Sequence, residues 1–260
     1  MPTLSAIVIA RNEAENIQAC LDSLDFADEK LLIDGGSEDR TVAIAQKSGA
    51  RVVVLPDWQG FGVQRRRAEA LAHGDWLLMV DADERVSSDL AREIRGAISE
   101  AERSGVRIFE IPRMTAVFGR FILHGGWYPD LNARLYARES AHYDDARVHE
   151  RLVPHPSSRI ERLNHPLLHY SYQNLTQYLS KSALYAREWA TERERKGSHA
   201  TLGQGLRHAL GCFSRMYVLR GGFLDGPEGF LLAVLSAHST FIKYAELWLR
   251  YRLRSKNVSG

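Results

Sequence analysis

Five short aliphatic runs, each followed by a segment with helical spacing, fill the first 111 positions and restrict the fold more than any other feature. They are LSAIVIA (4–10), KLLID (30–34), RVVVL (51–55), WLLMVDAD (76–83) and RIFEI (107–111). Runs this brief and this rich in Val, Ile and Leu are what strands covered on both faces require. Between them lie EAENIQACLDSL, EDRTVAIAQKSG, GVQRRRAEALAHG and SSDLAREIRGAISEAERSG, and three of these four end in or near a glycine stop. Such alternation predicts an α/β fold with a parallel, doubly wound sheet. Ligands of these sheets sit beyond the carboxyl ends of the strands. Polar residues concentrate at those ends: Arg11-Asn12-Glu13, Asp34 to Asp39, and Asp81 to Glu84.

Residues 112–172 are different, with Gly, Pro, His and aromatic residues and only short strand-like pieces such as ARLYAR and PLLHYSY. They predict an irregular, β-rich region over the site. Residues 174–200 have helical, charged spacing, and the segments from Leu202 onward are amphipathic to apolar. The expected division is therefore a catalytic domain over 1–172, itself split at 111, and a helical region over 173–260. With 260 residues, 45% of them hydrophobic, the chain can bury one sizeable core plus an appendage. The net charge of +2 hides an asymmetry. Residues 1–150 carry 18 Lys and Arg against 25 Asp and Glu, and residues 151–260 carry 16 against 7. An acidic first part suits a metal, and a basic second part suits phosphate-rich ligands or an anionic membrane; solvated charged faces would give the same count. Cys20 and Cys212 are far apart and form no disulfide framework or metal-ligand spacing, which fits a reducing compartment. The run from Leu4 reads as a first core strand and not as a signal peptide.

Asp81-Ala82-Asp83 is the sharpest local signal. In an extended strand end, residues i and i+2 share a side, so the two carboxylates would face one cleft while Ala82 packs. Their repulsion is relieved by a divalent cation, and Mg2+ or Mn2+ takes oxygen ligands shared with substrate phosphates. Capping of the helix in DERVSSDL is the alternative. In IDGGSEDRT (33–41), Asp34 could accept from a ribose or base and the glycine pair lets backbone approach a ligand; a strand-to-helix turn explains the same residues. Asp39 could cap the next helix. Asn12 and Glu13, after Ala10, are placed either to cap or to contact a nucleoside. Consecutive arginines at 65–67 point to different helix faces, and the spacing assigns Gln64 and Arg67 to the cleft.

In this order, IVIARNEAENI, IDGGSEDRT, GVQRRRAEA and LMVDADERV resemble the nucleotide-sugar domain of the family-2 inverting glycosyltransferases. GGWYPDLNARLY (125–136) and DARVHERL (145–152) extend the resemblance to the lipopolysaccharide-core subgroup that adds β-1,4-glucose to inner-core heptose. The resemblance implies a GT-A fold, a UDP-glucose type of donor held by Ala10, Asn12, Glu13, Asp34, Gly36, Gln64, Arg67, Asp81 and Ala82, and a metal at Asp81 and Asp83. His169 is added to the metal set, and His149 is a further candidate for diphosphate or metal. The family turn commonly carries two successive acids, whereas the second position here is Gly35, so base contacts would come from Asp34, Glu13 or backbone. Inverting transfer needs a base for the acceptor hydroxyl; Glu150 in VHE is ranked first and Asp130 in GWYPD second. Trp127, Tyr128 and Arg134 are the candidate acceptor contacts.

Residues 229–249 are apolar but interrupted by His238, Lys243 and Glu246, which argues against a membrane span. Phe230, Leu231, Val234, Leu235, Phe241, Ile242, Ala245 and Leu249 recur at helical spacing before the basic RYRLRSK. This predicts either an interfacial helix beside a lipid-linked saccharide acceptor at the cytoplasmic face of the inner membrane, or a helix packed on the protein. Nothing calls for a nucleic acid. Transfer to a polyprenyl phosphate or another envelope glycan, and a nucleotide-binding protein without catalysis, are the competing readings.

Overall fold

The computed structural model describes residues 2–146 and 150–258, with the side chains of 255–258 left aside. Two compact units divide the chain. One comprises Met1–Met114 and Asp130–His169, the other Thr115–Pro129 and Tyr170–Gly260.

The first unit is an α/β fold of the expected type. Strands β1 (Leu4–Ala10), β2 (Glu29–Asp34), β3 (Arg51–Val54) and β4 (Trp76–Asp81) pair in parallel in the order β3-β2-β1-β4. Helices α1 (Ile17–Asp22), α2 (Thr41–Lys47) and α3 (Phe61–Leu71) connect them. Every residue of β1 except Ile9 is buried, as are the last four of β2 and the first five of β4. Two clusters, one centred on Leu4, Val8, Leu32 and Val80 and the other on Ile7, Ile33, Leu77 and Met79, cover opposite faces of the sheet. Continuous apolar runs thus became strands buried on both faces.

After β4 come β5 (Glu84–Val86), α4 (Ser88–Ser104) and β6 (Val106–Val117). Helix α4 starts at Ser87, whose hydroxyl accepts from Leu90 N, and stops at Gly105 with φ 72°. Ser87 and not the Asp81–Asp83 pair is therefore the cap, which removes the capping alternative for that motif. Ser87→Ala is expected to cost about 1 kcal/mol, a fall of roughly 2–4 °C in the melting midpoint for a chain of this size, read by calorimetry.

The fifth apolar run does not join β4 directly. After β7 (Arg120–Phe121), the chain returns as β8 (Asp130–Ala137), which inserts antiparallel between β4 and β6. The sheet is mixed for this reason, in the order β3-β2-β1-β4-β8-β6-β12-β5. Strands β9 (Ala141–Tyr143) and β10 (Leu152–Pro154) form a separate hairpin, β11 (Arg159–Arg162) pairs with β6, and β12 (Leu167–Tyr172) pairs with β5 through residues 167–169.

The second unit holds residues 115–129, which the sequence pattern assigns to the catalytic part. They separate because Val117, Ile122 and Trp127 pack with Tyr178, Leu232 and Leu235. The unit is otherwise helical: α5 (Leu175–Arg195), α6 (Leu202–Phe213), a π-helical turn (Ser214–Leu219), a 3-10 turn (Gly222–Asp225) and α7 (Gly226–Val258). Along α7, Leu232, Leu235 and Leu247 are buried while Phe230, Leu231, Val234 and Leu249 are exposed. The helix therefore packs within its own unit along one stripe. Among the described residues no helix is long and apolar enough to cross a membrane.

Candidate functional site

At the carboxyl ends of β1, β2 and β4 the three polar loops close on one another. Asp34, fully buried, accepts from Gly36 N and Ser37 N at 2.9 and 2.8 Å and from the Ser37 hydroxyl. Its oxygens thus organise the strand-to-helix turn, the alternative that the sequence left open. Asn12 adopts φ 57° and accepts from Glu38 N, while its own N–H donates to Ser37 Oγ. Glu13 N donates to Thr41 Oγ1, Asp39 accepts from Ala14 N and Thr41 N, and Gly35 N donates to Ala10 O. The first two loops form one hydrogen-bonded rim. Gly36 has φ 84°, a region that favours glycine. A Cβ at Gly35 would stand 3.0 Å from the indole of Trp58. The side chain absent at position 35 is replaced in space by that indole, which the sequence reading did not single out.

The chain turns at Ala82-Asp83, directly after β4, so the two aspartates do not follow the i, i+2 parity of a strand. Ala82 is buried. Asp83 reaches His169 Nε2 at 3.3 Å. Asp81 turns instead to two guanidiniums, Arg65 Nη2 on Oδ1 and Arg134 Nη2 on Oδ2, each at 2.7 Å. Among the described residues no three of His, Cys, Asp or Glu gather to hold an ion. Asp81, Asp83 and His169 therefore split into an aspartate–histidine pair and an aspartate–arginine pair, correcting the expected three-residue set.

Arg65 and Arg134 belong to a longer chain of alternating charge. Arg65 Nε donates to Glu150 Oε1 at 3.0 Å. Arg134 Nη2 also approaches Glu84 Oε1 at 3.3 Å, and Arg113 lies 3.5 Å from the same carboxylate. Arg113 in turn holds Asp130 Oδ2 through Nε at 2.9 Å and Nη2 at 2.6 Å. The sequence Glu150–Arg65–Asp81–Arg134–Glu84–Arg113–Asp130 thus links both candidate bases to the Asp81 motif. Its members come from several elements: α3 for Arg65, β4 and β5 for the central acids, β6 for Arg113, and β8 for both Arg134 and Asp130. The insertion of β8 beside β4 is what delivers Arg134.

Burial sets the electrostatics. Glu84 is wholly inaccessible, and Arg65 and Arg134 are only 4% and 6% exposed. Charges so placed persist only when paired. Burial opposes ionisation of Asp81, but Arg134 and Arg65 outweigh it and hold the carboxyl well below its ordinary value. For Glu84 burial dominates; with Asp81 adding repulsion and Arg134 opposing, its pKa is raised. Burial also works against charge on Arg65, and Asp81 overcomes it.

The arginine assigned to the cleft was Arg67; the structure places Arg65 there. Arg67 pairs with Asp57, and Gln64, fully buried, donates to Leu55 O. The face of α3 is selected by Gly62. A Cβ there would stand 2.2 Å from Asp144 O, and Gly62 N donates to Ala146 O at 3.0 Å. Residues 144–146 can therefore lie directly on α3, one turn from Arg65. Arg134, assigned to an acceptor, is spent on Asp81 and Glu84. Trp127 and Tyr128 belong to the second unit, where Trp127 packs in its apolar cluster. His149 lies outside the described residues. Arg113 has no local signal, because only β-sheet pairing brings it to the motif, whereas Glu84 lies within the acidic cluster that follows β4 and takes its role from the arginines the fold delivers. A cleft of about 740 Å³ lined by Asp75, Trp76, Arg107 and Arg138 opens at the amino end of β4 and contains none of these residues.

The profile of a family described as "Glycosyl transferase family 2" matches residues 5–151. An uncharacterized glycosyltransferase of Rickettsia felis is 29% identical, with 99% of this chain and 93% of that protein covered. The lipopolysaccharide core biosynthesis glycosyltransferase LpsC of Rhizobium meliloti is 26% identical, with 97% and 94% covered. Among solved structures, glucosyl-3-phosphoglycerate synthase from Mycobacterium tuberculosis, in complex with Mn2+, UDP and glucosyl-3-phosphoglycerate, is 21% identical. It aligns with a TM-score of 0.47 over 77% of this chain and 82% of its own.

Proposed function

The chain belongs to glycosyl transferase family 2, and from that membership we propose that it is an inverting hexosyltransferase moving glucose from UDP-glucose to a lipopolysaccharide inner-core heptose. The observation that carries the reading is the alternating chain of charges from Glu150 to Asp130, which ties a candidate base to the loops at the strand ends. The similarity to LpsC over nearly the whole chain supports the acceptor class. The acceptor is then a lipid-linked saccharide, and the enzyme works at the cytoplasmic face of the inner membrane.

In this mechanism the rim made by the Ala10, Asn12, Glu13, Asp34 and Gly36 loops receives the nucleoside. The acceptor hydroxyl attacks the anomeric carbon from the face opposite the diphosphate. Glu150 takes the hydroxyl proton on Oε2 while Arg65 retains Oε1 and fixes the carboxylate's orientation. The bond from the anomeric carbon to the diphosphate oxygen breaks, and its electron pair leaves with UDP. Asp83 and His169, 3.3 Å apart, would hold a divalent cation through a hard oxygen and an imidazole nitrogen, both ligand types that Mg2+ or Mn2+ accepts. Mg2+ or Mn2+ held there supplies positive charge for the leaving diphosphate.

Two measurements test this. A donor screen with purified protein and lipopolysaccharide from a core-truncated strain should show UDP-glucose preferred and heptose glucosylated; transfer only to a polyprenyl phosphate would replace the acceptor assignment. For the cation, Asp83→Asn is expected to weaken Mn2+ binding in the presence of UDP by at least on the order of tenfold, with His169→Gln intermediate. Calorimetric titration reads both, and unchanged Mn2+ affinity in Asp83→Asn would remove the pair from the metal site.

A further inference from the structure

On α6 two small residues, Gly205 and Ala209, face inward and are buried, and the leucines lie outside that face. A Cβ at Gly205 would lie 3.0 Å from Tyr244 Cβ and 3.2 Å from the Phe241 ring, so α7 occupies that face. The stripe flanking that face carries Leu206 and Leu210, 56% and 61% exposed, and is followed at helical spacing by the half-buried Phe213 and Tyr217. At the end of the π-helical turn Leu219 is 79% exposed, and beyond it Phe223 is 52% exposed. Tyr217 joins these pieces, its ring 5.3 Å from Phe213, 6.2 Å from Phe223 and 5.5 Å from Phe230 between centroids. A helix of a water-facing surface has the reverse polarity. A contiguous exposed apolar face of this kind marks a docking surface.

Charge identifies what docks. From Gly197 to Leu224 the chain has three arginines, Arg207, Arg215 and Arg220, and no Asp or Glu. All three are exposed, and none has an ion-pair partner among the described residues. The next acid, Asp225, is buried and accepts from Leu123 N, His124 N and the His124 ring. Leucines and aromatics rimmed by unneutralised guanidiniums match the headgroup–acyl boundary of an anionic bilayer, where the apolar groups sink and the cations meet phosphates. A second copy on the same face would oppose the arginines to one another across a twofold axis. We infer that the surface formed by the outer stripe of α6 and residues 214–224 binds this protein to an anionic lipid surface. This deepens the reading of a lipid-linked acceptor, and it stands on the second unit alone, without the donor chemistry.

The test is co-sedimentation of the full chain with vesicles of phosphatidylcholine, with and without phosphatidylglycerol. Binding is expected only to the anionic vesicles. The double variant Leu210→Asp/Leu219→Asp should lose at least on the order of tenfold in vesicle affinity, and Arg207→Gln/Arg215→Gln should lose on the order of tenfold, growing smaller at high salt. Ile160→Asp, an exposed apolar position of the first unit, should bind like the parent. Circular dichroism melts confirm folding, and hydrolysis of UDP-glucose read in solution should be unchanged in the Asp and Gln variants. Loss of hydrolysis in the parent with vesicle binding retained would overturn the donor reading and leave this one standing. Equal binding by the Leu210→Asp/Leu219→Asp protein, or no anionic binding together with a dimer that this variant disperses in sedimentation velocity, would overturn it.

Discussion

Glu150→Gln is expected to slow glucose transfer by about 10²–10⁴-fold while changing UDP affinity only slightly. Glutamine has the same shape, and its amide oxygen can still accept from Arg65 Nε, 3.0 Å away in the parent. Arg65 therefore keeps its place on Asp81, and the substitution removes basicity alone. Asp130→Asn supplies the comparison. Asp130 stands at the other end of the charge chain, held by Arg113 at 2.6 Å, and is 42% exposed at its side chain. Its expected effect is under about tenfold, as for a group that positions others without bonding to the reacting atoms. Single-turnover transfer and calorimetric UDP binding measure both. A greater loss in Asp130→Asn than in Glu150→Gln would move the base to Asp130.

Arg134→Met should be the most destabilising single change in the site, by about 3–5 kcal/mol, or a fall of roughly 6–20 °C at about 2–4 °C per kcal/mol. It strands two acids at once, since Arg134 bonds Asp81 and approaches Glu84. Asp81 keeps Arg65, but Glu84 is fully buried and then keeps, besides Asp81 N, a single ion-pair partner among the described residues, Arg113 at 3.5 Å. Adding Glu84→Gln should recover part of the loss, because the amide still accepts from Asp81 N without carrying a charge. Calorimetry on the single and double variants measures the difference; a double variant less stable than the single would contradict the charge argument.

The pH dependence has two signs. The folded pKa of Glu84 is raised, and Arg134 opposes that rise. Without Arg134 the protonated form gains further, so the variant's penalty should grow as pH climbs above 4.5, the ordinary value, and shrink below it. Asp81 behaves oppositely. Its folded pKa is depressed below 3.8, so its stabilisation is present above that pH and is lost as pH falls. A denaturation series from neutral to acid pH should show the Arg134→Met penalty narrowing toward the ordinary carboxylate range.

The sequence by itself determined the first four strands, their parallel pairing and the polar loops at their carboxyl ends. Uninterrupted apolar runs admit few other arrangements, and the ordered motifs placed the chain in its family. The turn around Asp34 and the helical nature of the last third were legible for the same reason, since each depends on neighbours in sequence. Tertiary structure decided the rest. The i, i+2 parity of Asp81 and Asp83 failed because the strand ends at Asp81 and the chain turns. Arg65 replaced Arg67 because Gly62 lets residues 144–146 lie on α3, which selects the helix face. Glu84, Arg113 and Arg134 met only because β8 inserts antiparallel between β4 and β6, and the pairing of β4 with β8, residues 57 to 61 apart, leaves no local trace. A buried charge is stabilised by whichever partner the fold delivers, and that partner is fixed by register and packing, not by spacing along the chain.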